Sequence, residues 1–242
     1  MNLTNKTIII VGASSGIGLA AASLFHELGA TTILVGRNED RLQRAARKIS
    51  PGQARVAIVV ADMTDANDRE RILNSAEELD HLVVTAADLS YMPVKDFTEE
   101  AALRMVKSKI LAPFFLAQKA AKKLNPEGSI TFVSGIAAER PIVGGCMTGA
   151  VNGALNAMVR GLAVELAPIR VNAVSPGWTD TPIWQAIMPA DRKAEAFSAM
   201  SAKIPARRVG RPEDIAQAIA ATTTNGFLSG SVLYADGGQR LV

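Results

Sequence analysis

Thr7-Ile8-Ile9-Ile10-Val11-Gly12-Ala13-Ser14-Ser15-Gly16-Ile17-Gly18 is followed directly by Leu19-Ala20-Ala21-Ala22-Ser23-Leu24-Phe25. The apolar run at 7–10 has the length and branching of a buried strand, and the alanine-rich run reads as a helix opening. Strand, glycine-rich turn and helix form the context in which a glycine pattern carries chemistry. Gly12 permits a tight turn because glycine tolerates positive φ. Gly16 and Gly18 let the backbone approach a pyrophosphate and let the helix sit against the strand. The helix start offers unpaired N–H groups and the positive end of its dipole. A turn that merely joins two elements would look similar, so the rest of the chain decides.

Outward from this stretch, strands and helices alternate. Residues 31–35, 55–60, 81–84, 128–133, 170–174 and 231–234 are further apolar runs of strand length. Residues 39–49, 65–78, 99–123, 148–166 and 212–222 carry helical spacing, whereas 176–205 reads as a loop with short helical pieces. The alternation predicts an α/β fold, a doubly wound parallel sheet of seven strands with helices on both faces. Its ligand crevice lies beyond the carboxyl ends of the strands, where residues 12–18 already stand.

The 242 residues, 48% apolar, suit one such domain with an ample core. Residues 1–90 would form the cofactor half and 91–242 the substrate and subunit-contact half. A net charge of only +3, without a basic block, points away from nucleic acid and membrane surfaces. The single cysteine, Cys146, excludes an internal disulfide and fits a reducing cytoplasm. Residues 1–6 lack the design of a signal peptide, and no apolar run reaches bilayer length. No metal site is expected.

End to end, the chain resembles the short-chain dehydrogenase/reductase family. The resemblance rests on Gly12-Ala-Ser-Ser-Gly16-Ile-Gly18, Asp62, Arg170-Val-Asn-Ala-Val-Ser-Pro-Gly177, Thr179, Thr181 and Leu228-Ser-Gly-Ser-Val-Leu-Tyr-Ala-Asp-Gly-Gly238. It implies a Rossmann fold, a nicotinamide cofactor, carbonyl or alcohol chemistry on a small molecule, and a homodimer or homotetramer built on the two long helices. It also implies that Gly12, Ser14, Ser15, Gly16, Ile17 and Gly18 hold the pyrophosphate. Asp62 and Met63 would adjoin the adenine, Ala86 and Ala87 the cofactor's middle, and Pro176, Gly177, Thr179 and Thr181 the nicotinamide.

Cofactor choice follows from charge. A site for NAD places a carboxylate at the end of the second strand to hold the ribose hydroxyls. Here that place is Gly36, followed by Arg37. No carboxylate repels a 2′-phosphate, and a guanidinium pairs with it bidentately. NADP(H) is therefore expected, with Ser14 and Asn38 adding hydrogen bonds.

The family's catalytic positions are changed. Aligned on the run 154–166, the usual Lys is Asn152 and the usual Tyr is Thr148. The usual Ser is Gly135, preceded by Ser134, and the usual Asn is Lys109. A threonine hydroxyl is far less acidic than a phenol of pKa about 10, and neither Tyr91 nor Tyr234 lies where it would replace the acid by sequence. The Lys and Asn have exchanged places, which suggests a relocated pair: Lys109 as proton donor with Asn152, assisted by Ser134 or Thr148. Asp88 and Glu139 are further candidates, as carboxylates for a cationic imine substrate. Met147, Trp178, Trp184, Ile187 and Met188 are candidates for an apolar pocket, and 182–207 for a flap over it. An oxidoreductase with altered proton chemistry is one reading; a silent NADPH-binding sensor or partner subunit is the other, with a non-redox lyase or isomerase third.

Overall fold

The computed structural model describes residues 1–52 and 54–242. Seven parallel strands form one sheet: β1 (Thr7–Val11), β2 (Thr31–Gly36), β3 (Val56–Val60), β4 (Leu79–Val84), β5 (Leu124–Val133), β6 (Arg170–Pro176) and β7 (Val232–Ala235). Their order is β3-β2-β1-β4-β5-β6-β7, so the chain reverses its winding between β1 and β4. The turn after β1 opens at that switch point, where doubly wound sheets bind ligands.

Alternate residues of β1 serve opposite faces. Ile9 and Val11 pack with Ile72 and Leu73 of α3 (Ala66–Asn74), Leu116 of α5 (Ala112–Ala120) and Leu155 of α6 (Cys146–Glu165). Ile8 and Ile10 pack with Phe25 of α1 (Gly16–Glu27), Leu42 of α2 (Glu39–Ile49) and Ile219 of α9 (Pro212–Thr224). Each face is thus covered, which is why the strands read as unbroken apolar runs.

Two expectations change. The helix expected at 99–123 is α4 (Glu99–Val106) and α5 joined by a π-helical turn, Lys107–Leu111. Pro113 lacks the N–H that would bond the Lys109 carbonyl four residues back, and the wide turn accommodates that gap. The loop expected at 176–205 contains α7 (Trp184–Ile187) and a fourteen-residue helix, α8 (Ala190–Lys203). None of the described residues of α8 is buried, so it has no apolar stripe for periodicity to reveal. Among the described residues no helix is long and apolar enough to cross a membrane.

Candidate active site

The glycine turn fits a phosphate-bearing cofactor by its geometry. Gly12 and Gly16 have φ of +92° and +55°. A Cβ on Gly12 would lie 2.6 Å from Thr85 Oγ1 and 2.8 Å from Ala86 N, and one on Gly18 would overlap the Gly12 carbonyl. Thr85 clamps the turn from β4, donating to Val11 O at 3.0 Å. Ser15, at the N-cap of α1, makes no side-chain capping bond, so the first N–H groups of that helix stay free for a ligand. Ser15, Gly16, Ile17 and Gly18 line a cavity of about 590 Å³. Ser14 is half-buried outside its wall.

At the adenosine end, Arg37 projects into solvent, its Nη1 3.9 Å from Asp62 Oδ2. Asp62 Oδ1 also accepts from Thr64 N. Asn38 caps α2, its Oδ1 accepting from Arg41 N at 2.9 Å, which leaves its Nδ2 donors for a ligand. The Met63 side chain is buried in the core, which leaves only its backbone for a ligand.

At the other end, Ala86, Ala87, Pro176, Gly177, Thr179 and Thr181 all reach the cavity. Gly177 packs so tightly that a Cβ would lie 2.8 Å from Asp236 Cα. Trp178 N donates to Gln239 Oε1, and Trp184 Nε1 donates to Thr179 O, which fixes an aromatic wall. The two indole rings lie 4.3 Å apart, and Ile187 and Met188 extend the wall; Met147 does not.

Lys109 stands on the π-helical turn and is fully buried within reach of the cavity. Its Nζ donates to Val133 O at 2.7 Å and Ser134 O at 3.3 Å, at the carboxyl end of β5. Burial lowers its pKa to about 8. It therefore points inward, not along an outer helix face beside Lys107 and Lys119.

Ser134 and Asn152 share this cavity. Ser134 Oγ donates to the Asn152 carbonyl at 3.3 Å, and Asn152 Oδ1 is buried without a partner. Among the described residues no hydrogen bond joins Lys109 to Asn152, so the expected pair shares a chamber without direct contact. At Gly135 a Cβ would lie 2.7 Å from Asn152 Nδ2, so a side chain there would have to push the carboxamide aside.

Thr148 departs further from expectation. It is fully buried, donates to Ser90 O at 3.1 Å and is absent from the cavity wall. Tyr91 lies in front of it, facing the Thr148 hydroxyl and lining the cavity. By sequence Tyr91 stands far from the α6 acid position, yet the fold brings it to the cavity wall; the long connection after β4 gave no periodic signal of where it leads.

The carboxylates fall away. Asp88 lies 3.9 Å from Arg104, Glu139 accepts from the Tyr234 hydroxyl, and no Asp or Glu among the described residues lines the cavity. Its charged wall residues are Lys109 and Arg140. Cys146 is exposed at the start of α6, away from the wall. Among the described residues no cluster of three or more His, Cys, Asp or Glu could hold a metal ion.

Comparison with known proteins agrees along nearly the whole chain. A family model described as enoyl-(acyl carrier protein) reductase matches residues 12–240. The short-chain dehydrogenase/reductase malC of Malbranchea aurantiaca is 34% identical, over 99% of this chain and 96% of that protein. The structure described as MalC reductase/Diels-Alderase superposes with a TM-score of 0.93 at 31% identity, covering 99% of this chain and 98% of that one. A short-chain dehydrogenase/reductase of unknown function from Caenorhabditis elegans, solved with cofactor, gives a TM-score of 0.92 at 30% identity over 99% and 97%.

Proposed function

Since the chain belongs to the short-chain dehydrogenase/reductase family of oxidoreductases, we propose that it is an NADP(H)-dependent reductase of a neutral, mostly apolar carbonyl compound. Reductase is also an activity named for the malC relative. The cofactor, when bound, supplies the hydride.

The chain's own residues divide the remaining work. The free N–H groups at the start of α1 hold the pyrophosphate, with Gly12, Gly16 and Gly18 giving the approach. Arg37 holds the 2′-phosphate, and Asp62 adjoins the adenine. Pro176, Gly177, Thr179 and Thr181 seat the nicotinamide end. Trp178, Trp184, Ile187 and Met188 exclude water from the reacting face. Lys109 keeps a cation beside the chamber and orders the end of β5 through two carbonyls. With Arg140 it makes the chamber hostile to a cationic iminium, since no carboxylate offsets them.

The observation that carries this reading is the cavity that joins the glycine turn (Gly12, Ser15, Gly16, Ile17 and Gly18) to Pro176, Gly177, Thr179 and Thr181 beside the buried Lys109 ammonium. Exposed Leu103, Leu111, Phe114 and Phe115, with Val164 on α6, are the proposed subunit contacts. The test is NADPH binding, followed by its consumption against ketones, aldehydes, quinones and imines. Tight binding with turnover of neutral carbonyls supports the reading, and preference for imines would remove the neutral-substrate part. Silence with every class would favour the second reading, a silent binder. That reading has one observation in its favour: Lys109 is engaged by two backbone carbonyls, as a structural lysine would be.

A further inference from the structure

We propose that Tyr91, on the connection between β4 and α4, donates the proton to the substrate oxygen, in the role that an acid on α6 would otherwise fill. The inference rests on the reductase reading above. Three independent features lead to it.

First, Thr148 is out of reach. Its hydroxyl proton is given to Ser90 O, its side chain is fully buried, and no part of it lines the chamber. Second, Tyr91 occupies the place in front of it. Tyr91 is half-buried, adjoins the Thr148 hydroxyl and lines the same chamber as Lys109, Ser134 and Asn152. The short threonine on α6 leaves the room that a tyrosine from the loop fills. Third, the loop is tethered on both sides of Tyr91. Thr148 holds the carbonyl of Ser90, and Met92 N donates to Gly144 O at 3.0 Å. Farther back, Asp88 N donates to the hydroxyl of Ser108, the neighbour of Lys109 on the π-helical turn. A loop residue fixed at both neighbours is preorganised in the way a donor must be.

The chemistry balances. As hydride from the reduced nicotinamide forms the new C–H bond, the carbonyl π-electrons move to oxygen. The Tyr91 O–H bond breaks, an O–H bond forms on the substrate, and the phenolate regains a proton from water at the chamber mouth. Burial raises the phenol pKa above its ordinary value. The phenol is thus protonated at neutral pH, yet far more acidic than the alcohol that forms when it quenches the alkoxide.

The chain has two tyrosines, so Tyr234→Phe leaves Tyr91 as its sole source of tyrosinate absorbance. In that variant the titration midpoint is expected above 10. In the NADPH-loaded enzyme, Tyr91→Phe should lower kcat/KM roughly 10²–10⁴-fold, the usual worth of a general acid, with NADPH affinity kept. The alkaline limb of the kcat/KM profile of the Tyr234→Phe enzyme should fall at the same pH as its tyrosinate midpoint. An alkaline limb unrelated to the tyrosinate midpoint, or a Tyr91→Phe enzyme as fast as wild type, would overturn the proposal and leave the reductase reading standing. A wild type that reduces no carbonyl would remove both, whatever the titration shows.

Discussion

Lys109 offers the sharpest test of the structure, because its cost to folding depends on pH in a calculable way. Its pKa falls from 10.5 in the unfolded chain to about 8 in the fold, owing to burial. At about 1.4 kcal/mol per pH unit, that difference is worth about 3 kcal/mol. Below pH 8 both states carry the proton, and the folded state bears the whole cost of burying the cation. Between pH 8 and 10.5 the unfolded chain binds more protons than the folded one, so stability rises with pH. Above 10.5 both are neutral and the cost is gone. Lys109→Met removes the titration and keeps the side-chain length. It also orphans the carbonyls of Val133 and Ser134, at a cost that does not depend on pH. The stability difference, wild type minus variant, should therefore climb by about 3 kcal/mol from pH 7 to 10.5, whatever its starting value. Urea unfolding of both proteins, followed by Trp178 and Trp184 fluorescence at several pH values, measures it. A difference that stays flat across this window would mean that Lys109 is solvated, and the case for a buried ammonium in the chamber would fail.

Three further outcomes are expected. Arg37→Asp should weaken NADPH binding by about 10- to 100-fold, the worth of a charge-assisted contact, and weaken NADH binding far less; equal losses in a binding titration would disprove the 2′-phosphate role. His81, buried against Ser129 Oγ, has its pKa lowered to about 4 by burial. It favours the fold above pH 6.5, and about 3 kcal/mol of that is lost as pH falls through 6.5 to 4, so His81→Gln should flatten the acid limb of stability in acid-titration circular dichroism. Gly135→Ala sets a Cβ 2.7 Å from Asn152 Nδ2; overpacking of this kind costs roughly 1–3 kcal/mol, read as a lower Tm, and an unchanged Tm would show that Asn152 has room to turn aside.

The sheet was legible because its central strands are covered on both faces and must be apolar throughout, as Ile8-Ile9-Ile10 shows. The glycine turn was legible because Gly12 and Gly18 admit no side chain against Thr85 and the Gly12 carbonyl. Helix α8 was not legible, since it buries none of its described residues. Nor was the π-helical turn, although Pro113 was its signal. The chamber divides in the same way. Lys109 could be placed by alignment, but one residue of helical phase would have turned it about 100° away, and only the fold settles that it points inward.

Tyr91 shows why the rest was hidden. Alignment asks what stands at a position, whereas the chamber asks which hydroxyl reaches it. At Thr148 these questions have different answers, because a short side chain on α6 withdraws behind a tyrosine borne by a loop. The same coupling joins the other departures. Gly135 has no side chain because Asn152 fills that space, and Lys109 reaches the β5 carbonyls from the opposite helix. Restoring the family's residue at any one of these places would then meet a neighbour already shaped to its absence. A serine at 135 would press on the carboxamide, and a lysine at 152 adds a second ammonium to a chamber whose described wall residues include no carboxylate. The substitutions make physical sense as one rebuilt wall, and single reversions are expected to lose function where a concerted change would not.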